Sequence, residues 1–224
     1  SRAPEKVIDA PASVSVISSQ QVEERASVNV TDHVVALPGI DVARGGIARS
    51  NIVARGFNNI FSGSLLTLTD NRFAFVPSLR VNIPYLATTT NEDIDHIEVV
   101  LGPGAALYGP NTAGGVMAIT TKSPFSSPGI TATVDGGNQN LIRGGVRAAW
   151  AGQKVGVKAS YEVFHGKEWD FLASDTATEN KSRSRDVNRQ GGELRVDYRP
   201  TLGSELIATY GRSKAGSAVE PTGL

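Results

Sequence analysis

Few side chains in this sequence are spaced for catalysis. His33, His96 and His165 are isolated, without a partner at the spacing a metal ligand set requires, and each reads as structural or solvent-facing. Asp93 and Asp95 near Glu98 suggest a carboxylate site but read better as a solvated turn and a strand-edge charge. Gly102 to Gly109 is glycine-rich, yet it lacks the Gly-Lys-Ser/Thr ending of a phosphate-binding loop. No catalytic residue, metal or cofactor is expected. The chemistry left is non-covalent recognition by charged, amide and aromatic side chains, so the elements that position them decide what the chain does.

Composition narrows those elements. The chain has 224 residues, enough for one large or two ordinary domains. Its 22 basic and 22 acidic residues cancel, and a pI near 6.8 removes the positive footprint of a nucleic-acid binder. The absence of cysteine fits an envelope protein and equally many cytoplasmic ones. No stretch approaches the roughly 20 apolar residues of a membrane helix, so any membrane crossing must use strands. No signal-peptide pattern follows Ser1.

Up to Phe125 the sequence mixes helix and strand signals. Ser18 with Gln21 is a capping-box pattern and predicts a short helix over Gln20 to Arg25. Thr31 or Asp32 is positioned to cap a second helix that stops before Pro38-Gly39. Asn91 or Asp93 starts a brief turn. The apolar runs Val14 to Ile17, Leu65 to Leu68, Ile97 to Leu101 and Val116 to Ile119 are short and rich in Val, Ile and Thr, predicting a small sheet covered by helices, an α+β module.

Ser123-Pro124-Phe125-Ser126-Ser127-Pro128-Gly129 marks a boundary, giving domains 1–125 and 126–224. Beyond it, five segments alternate apolar and polar residues, as in Leu194, Val196 and Tyr198 against Glu193, Arg195, Asp197 and Arg199. Alternation alone fits a soluble β-sandwich as well as a membrane barrel. Short turns at Ala151 to Gln153 and Pro200 to Ser204, against a long polar loop from Gly166 to Asn188, favour the barrel. Trp150 and Tyr198 beside the short turns, with Phe164 and Trp169 beside the long loop, predict two interfacial girdles.

The run Ile97-Glu98-Val99-Val100-Leu101-Gly102-Pro103-Gly104-Ala105-Ala106-Leu107-Tyr108-Gly109, followed by Gly114-Gly115-Val116-Met117-Ala118-Ile119-Thr120-Thr121-Lys122, reads as a strand, a tight bend, an aromatic anchor and a second strand entered through paired glycines. It resembles the signature closing the plug domain of TonB-dependent outer-membrane receptors. Ala12 to Ile17, Pro38-Gly39-Ile40, Ile52-Val53-Ala54-Arg55-Gly56-Phe57 and Leu66 to Asn71 resemble further plug landmarks in order, so the resemblance covers roughly Ala12 to Lys122. It implies an α+β plug followed by antiparallel transmembrane β-barrel strands. Family barrels have about 22 strands, so the five here imply the N-terminal part of a larger plugged barrel, mature and truncated.

The resemblance also implies site residues. Arg55 and Glu98 are expected to lock the plug to the barrel wall, with ordinary surface ion pairing as the alternative. The family's basic residue before Gly-Pro is Leu101 here, which removes one partner. Plug loops Arg44 to Asn51, Asn58 to Ser62 and Arg72 to Leu79 are expected to face outward, offering Arg49, Asn59, Phe61, Arg72, Phe73 and Phe75 to a ligand. Some of these phenylalanines fit packing against the wall equally well. Lys181 to Arg185 is a basic loop suited to solvent, to lipopolysaccharide phosphates or to an anionic ligand.

The function implied is gated uptake of a scarce nutrient across the outer membrane of a Gram-negative-type bacterium. Its partners are TonB, outer-membrane lipid, the remaining barrel strands and a small ligand. Ferric siderophore is the default ligand, with cobalamin, metal complexes and oligosaccharides open. Ser1 to Asp9 holds no convincing TonB-pairing segment, which is expected upstream. The rivals are a transport-inactive scaffold of an outer-membrane assembly and a soluble two-domain binding protein.

Overall fold

The computed structural model describes residues 13–48, 50–56, 65–76, 81–82, 86–102, 112–169, 185–201 and 203–216. The first half is built on β1 (Ser13–Ser18), whose last residue caps helix α1 (Ser19–Glu23). Ser18 Oγ accepts from the Gln21 amide at 3.4 Å and Gln21 Oε1 accepts from the Ser18 amide at 2.9 Å, closing the predicted box. The next helical segment is a single 3₁₀ turn, Val30–His33, and its cap is Asn29 rather than Thr31 or Asp32. Asn29 takes the extended conformation of a cap, and Asp32, three residues on, returns the bond to its amide at 3.1 Å.

Past Gly39, whose φ of 80° turns the chain, β2 (Ile40–Arg44) and β3 (Ser50–Ala54) form a hairpin. Then come β4 (Leu65–Thr69), β5 (Arg72–Phe73), β6 (Phe75–Val76) and β7 (Val81–Asn82). A 3₁₀ turn at Asn91–Asp93 leads into β8 (Ile94–Leu101), and β9 is Gly115–Thr121. All four predicted apolar runs lie in one sheet of order β1-β8-β9-β4-β5, with β4 and β9 parallel and the other pairs antiparallel. Ile17, Val22, Val34, Ile97, Val99 and Met117 form its core, and β4 is buried along its whole length. Each such side chain contributes about 1.5–3 kcal/mol by leaving water. Position 115 must be glycine, because a Cβ there would stand 2.3 Å from the Val100 carbonyl oxygen.

The second half is an antiparallel meander of β10 (Gly129–Gly137), β11 (Leu141–Ala151), β12 (Val155–Lys167), β13 (Asp186–Thr201) and β14 (Ser204–Gly216). The strands run 9 to 16 residues, against the roughly 9–11 needed to cross a bilayer at a tilt. Their burial is inverted relative to a soluble sheet. Ile130, Val134, Trp150 and Leu206 are 63–83% exposed, whereas Arg147, Lys158 and Asp197 on the opposite face are 0–3% exposed. A sandwich buries its apolar row, so the soluble two-domain alternative is corrected here: the apolar row faces out and the charged row faces in.

Two further expectations change. The β10–β11 connection is a short turn at Asn138–Asn140, at the end where longer loops were expected. Gln139 and Asn140 both adopt left-handed φ, 60° and 52°, which suits a tight hairpin between twisted strands. Phe164 does not join a girdle. It points inward and is buried with Ala48 and Val187, because its position in β12 belongs to the same alternating row as Lys158 and Glu162.

Candidate functional site

The charged inner row of the second sheet does not face water. The segment 86–93 of the first half lies along it, and its 3₁₀ turn delivers two buried acids. Glu92 Oε1 accepts from Arg143 Nη2 at 2.6 Å and from the Thr133 hydroxyl. Asp93 Oδ1 accepts from Arg147 Nε at 2.7 Å, and Oδ2 from Lys158 Nζ at 2.6 Å. Glycine at 145 makes room for this approach, since a Cβ there would meet Glu92 Oε1 at 2.3 Å. Burial pushes the Glu92 carboxyl up, but Thr133 and Arg143 outweigh it and hold the group below its ordinary value.

The network extends in both directions. Arg143 also donates to Glu162 at 2.8 Å and Asp135 at 2.5 Å. Glu162 is bonded in turn by Arg189, which donates to the Val28 carbonyl at 2.7 Å. On the other side, Asp70 accepts from the Thr121 amide and hydroxyl at 2.9 and 2.7 Å and lies 3.6 Å from Arg195. Arg195 is held bidentately by Asp197 of its own strand. Lys158 also donates to Thr121 Oγ1 at 2.7 Å and the Lys122 carbonyl at 2.8 Å, tying the end of β9 to the sheet. Buried charges persist only when paired in this way, and losing one partner is costly.

The residues singled out from sequence are distributed differently. Arg55 is exposed just after β3, with φ 49° and its amide bonded to the Gly39 carbonyl at 3.1 Å. Glu98 is half-buried on β8 with Oε1 4.0 Å from His96 Nε2. Arg72 reaches the inner row, its Nη2 2.9 Å from Glu193 Oε2, while Phe73 is exposed. Phe75 lies in β6, paired with Asn82. Arg49, Asn59 and Phe61 lie outside the described residues, as do Lys181 to Ser184. In the Arg44 to Asn51 loop, Ile47 donates its amide to the Glu168 carboxylate at 2.9 and 3.0 Å, and Ala48 packs on Phe164 and Val187, so the middle of this loop is seated on the sheet.

The reading of Asp93 as part of a solvated turn is corrected, for it is 1% exposed and paired with two cations, whereas Asp95 is exposed. His33 is structural: Nε2 lies 3.2 Å from Ser27 Oγ and 3.1 Å from Asn91 Oδ1, and burial pushes its pKa below the ordinary value. Glu92, Arg143, Arg147 and Lys158 were missed as site residues. The available signal was that charges fill the inner positions of three successive strands, at Arg143 and Arg147, Lys158 and Glu162, and Glu193, Arg195 and Asp197.

A polar-lined sheet held against an α+β module through buried ion pairs is the arrangement of a plugged barrel, and comparison with known proteins agrees. Residues 6–116 match the TonB-dependent receptor plug domain. The chain is 34% identical over 133 residues to the vitamin B12 transporter BtuB of Vibrio vulnificus (strain CMCP6), covering 57% of this chain and 20% of that protein. It is 34% identical over 142 residues to the ferrioxamine B receptor of Salmonella typhimurium (strain SL1344), covering 59% and 18%. The siderophore receptor PirA from Acinetobacter baumannii superposes with a TM-score of 0.69 at 20% identity, covering 96% of this chain and 33% of that one. The chain belongs to the TonB-dependent receptors, outer-membrane proteins of Gram-negative bacteria, and spans about a fifth of the length of these curated relatives. The first half is hereafter the plug and the five-stranded sheet the wall.

Proposed function

We propose that this chain supplies the plug and adjoining wall of an importer that moves a scarce nutrient across the outer membrane. The observation that carries the reading is the buried ion-pair interface of Glu92 and Asp93 with Arg143, Arg147 and Lys158. It fills the inner side of the wall with plug, yet through contacts that water can replace. Ligand binding on outward plug loops biases the plug toward release, and TonB supplies the pull. Binding can do this only by differing in affinity for the two plug states. Ferric siderophore is the proposed substrate, by analogy with the ferrioxamine B receptor among the relatives. Arg49, Asn59, Phe61, Phe73 and Phe75 are the proposed ligand contacts. Arg72 belongs with them only if it leaves Glu193, and Arg55 and Glu98 are proposed to lock against barrel strands beyond these five. Lipopolysaccharide contacts the outer rim, and no catalytic step is assigned.

The test is uptake of labelled ferric siderophores and of cobalamin by cells carrying the full-length receptor, with and without TonB. Accumulation of a siderophore that depends on both receptor and TonB supports the reading. Cobalamin in its place overturns the substrate, and no TonB-dependent accumulation of any ligand overturns the importer.

A further inference from the structure

Two cations of the inner wall are partnered unlike the rest. Arg143 keeps Asp135 and Glu162 from the wall's own strands in addition to Glu92, and Arg195 is held by Asp197. Arg147 and Lys158 instead share one carboxylate, and the plug provides it: Asp93, at 2.7 and 2.6 Å. Their other acceptors are neutral, the Ser127 carbonyl for Arg147 and the Thr121 hydroxyl and Lys122 carbonyl for Lys158. Two more polar atoms here are buried without a partner among the described residues, Arg147 Nη2 and Ser160 Oγ. Arg147 and Ser160 stand opposite each other in the β11–β12 register, and Lys158 projects from the same face of β12 two residues earlier. Two neighbouring strands thus present a guanidinium, an ammonium and a hydroxyl, with more donors than Asp93 satisfies.

We infer that Arg147, Lys158 and Ser160 form an anion-binding site on the inner wall that takes a carboxylate or a similarly small monoanionic group, and that Asp93 is its resident occupant while the plug is seated. A guanidinium and an ammonium close together in a narrow, poorly solvated lumen require a counter-charge. The use of the site rests on the importer reading: when Asp93 moves off, these donors face the opened path and hold the anionic group of a passing ligand. Carboxylate-bearing iron chelates are favoured over neutral ones of equal size.

The experiment uses the full-length receptor in detergent, as wild type and as Asp93→Ala, titrated with acetate or with acetamide, its neutral counterpart in shape, at constant ionic strength. Thermal unfolding of the plug is the readout. Asp93→Ala should melt below wild type, and acetate should raise its melting temperature saturably by several degrees. Acetamide should not, and wild type should not respond to acetate. Adding Lys158→Met or Arg147→Met to Asp93→Ala should abolish the response. Equal effects of acetate and acetamide, or an acetate response that survives Lys158→Met, would overturn the site. If Asp93→Ala does not assemble, Asp93→Ser, which keeps a small polar group at the interface without the charge, is titrated under the same two criteria. Uptake is not read, so a receptor that imports nothing can still pass and one that imports can still fail.

Discussion

Glu92 and Asp93 are adjacent, equally buried and both ion-paired, yet their neutralisation should have unequal consequences. In Glu92→Gln, the amide oxygen still accepts from the Thr133 hydroxyl, and Arg143 keeps Asp135 at 2.5 Å and Glu162 at 2.8 Å, so the main loss is the charge-assisted bond to Arg143, about 1.5–3 kcal/mol. In Asp93→Asn, Arg147 and Lys158 lose the carboxylate they share, and among the described residues neither buried cation has another within hydrogen-bond distance. Breaking a buried pair in this way costs about 3–5 kcal/mol. A difference of about 2 kcal/mol is roughly 30-fold in the fraction of plug displaced from the wall. This chain contains no cysteine, so in a full receptor cleared of any cysteine elsewhere a single reporter thiol can be placed at Thr90, which is 2% exposed at the interface. Alkylation of Thr90→Cys in outer-membrane vesicles bearing the full receptor then reads displacement. Its rate should rise about 30 times more with Asp93→Asn than with Glu92→Gln, and adding Lys158→Met should reverse much of the Asp93→Asn effect. Equal rates, or the opposite order, would refute the claim that shared partners set the strength of the contact.

Acid should weaken the plug in two stages. Burial depresses the His33 pKa from 6.5, so only the unfolded chain takes up that proton as pH falls below 6.5; the His33 contribution is flat above this value and declines below it. Glu92, held below 4.5, contributes stability present above 4.5 and lost as pH falls through its depressed value. Melting followed from neutral pH downward should show both, with His33→Gln removing the first and Glu92→Gln the second. Gly145→Val, which drives a side chain into the Glu92 carboxylate, should lower plug melting at least as much as Glu92→Gln, whereas Gly203→Ala, with nothing within 4 Å, should not. Val134→Arg should lower the folding stability of the full receptor in vesicles by about 2–4 kcal/mol if the residue lies at the bilayer midplane, less toward either interface, and by almost nothing if β10 faced water.

The fold was legible where local chemistry decided it. Ser18 and Gln21 announce α1 because both capping bonds are made within four residues, and the runs at 14–17, 65–68, 97–101 and 116–119 announce strands by their β-branched content. The cap at Asn29 was misplaced because Asn29, Thr31 and Asp32 are all good caps, and the choice fell to a tertiary contact, the Asn29 side-chain amide bonded to the Ala48 carbonyl. The inward turn of Phe164 was written in the alternation of β12, which puts it in the row of Lys158 and Glu162, but its partners Ala48 and Val187 were not, because they approach only in the folded chain. The charged face was written in the alternation of β11 to β13, but its partners were not, because Asp93 meets Arg147 across 54 residues and Lys158 across 65. Neither separation leaves a periodic trace.

Those separations bear on how the plug can move. Its apolar core, including Ile97, Val99 and Met117, lies within its own sheet and helix, and remains buried if contact with the wall is lost. The contacts across to the wall are mostly made by charged side chains and close over long loops, from Lys158–Lys122 at 36 residues to Arg189–Val28 at 161. They cannot form before the wall strands are in register. Among the described residues, apolar cover between the two gathers at the two ends of β12: a small cluster of Ala48, Phe164 and Val187 near Lys167, and Pro124 and Phe125 against Gly156 and Arg199. An apolar interface that opens exposes surface water cannot satisfy, at about 25 cal/mol per Å². An ionic one exchanges each lost partner for water as the lumen floods, so the initial cost of several kcal/mol falls as separation proceeds. The resistance is therefore concentrated at the first step, where the desolvated pairs at Asp93 and Glu92 break.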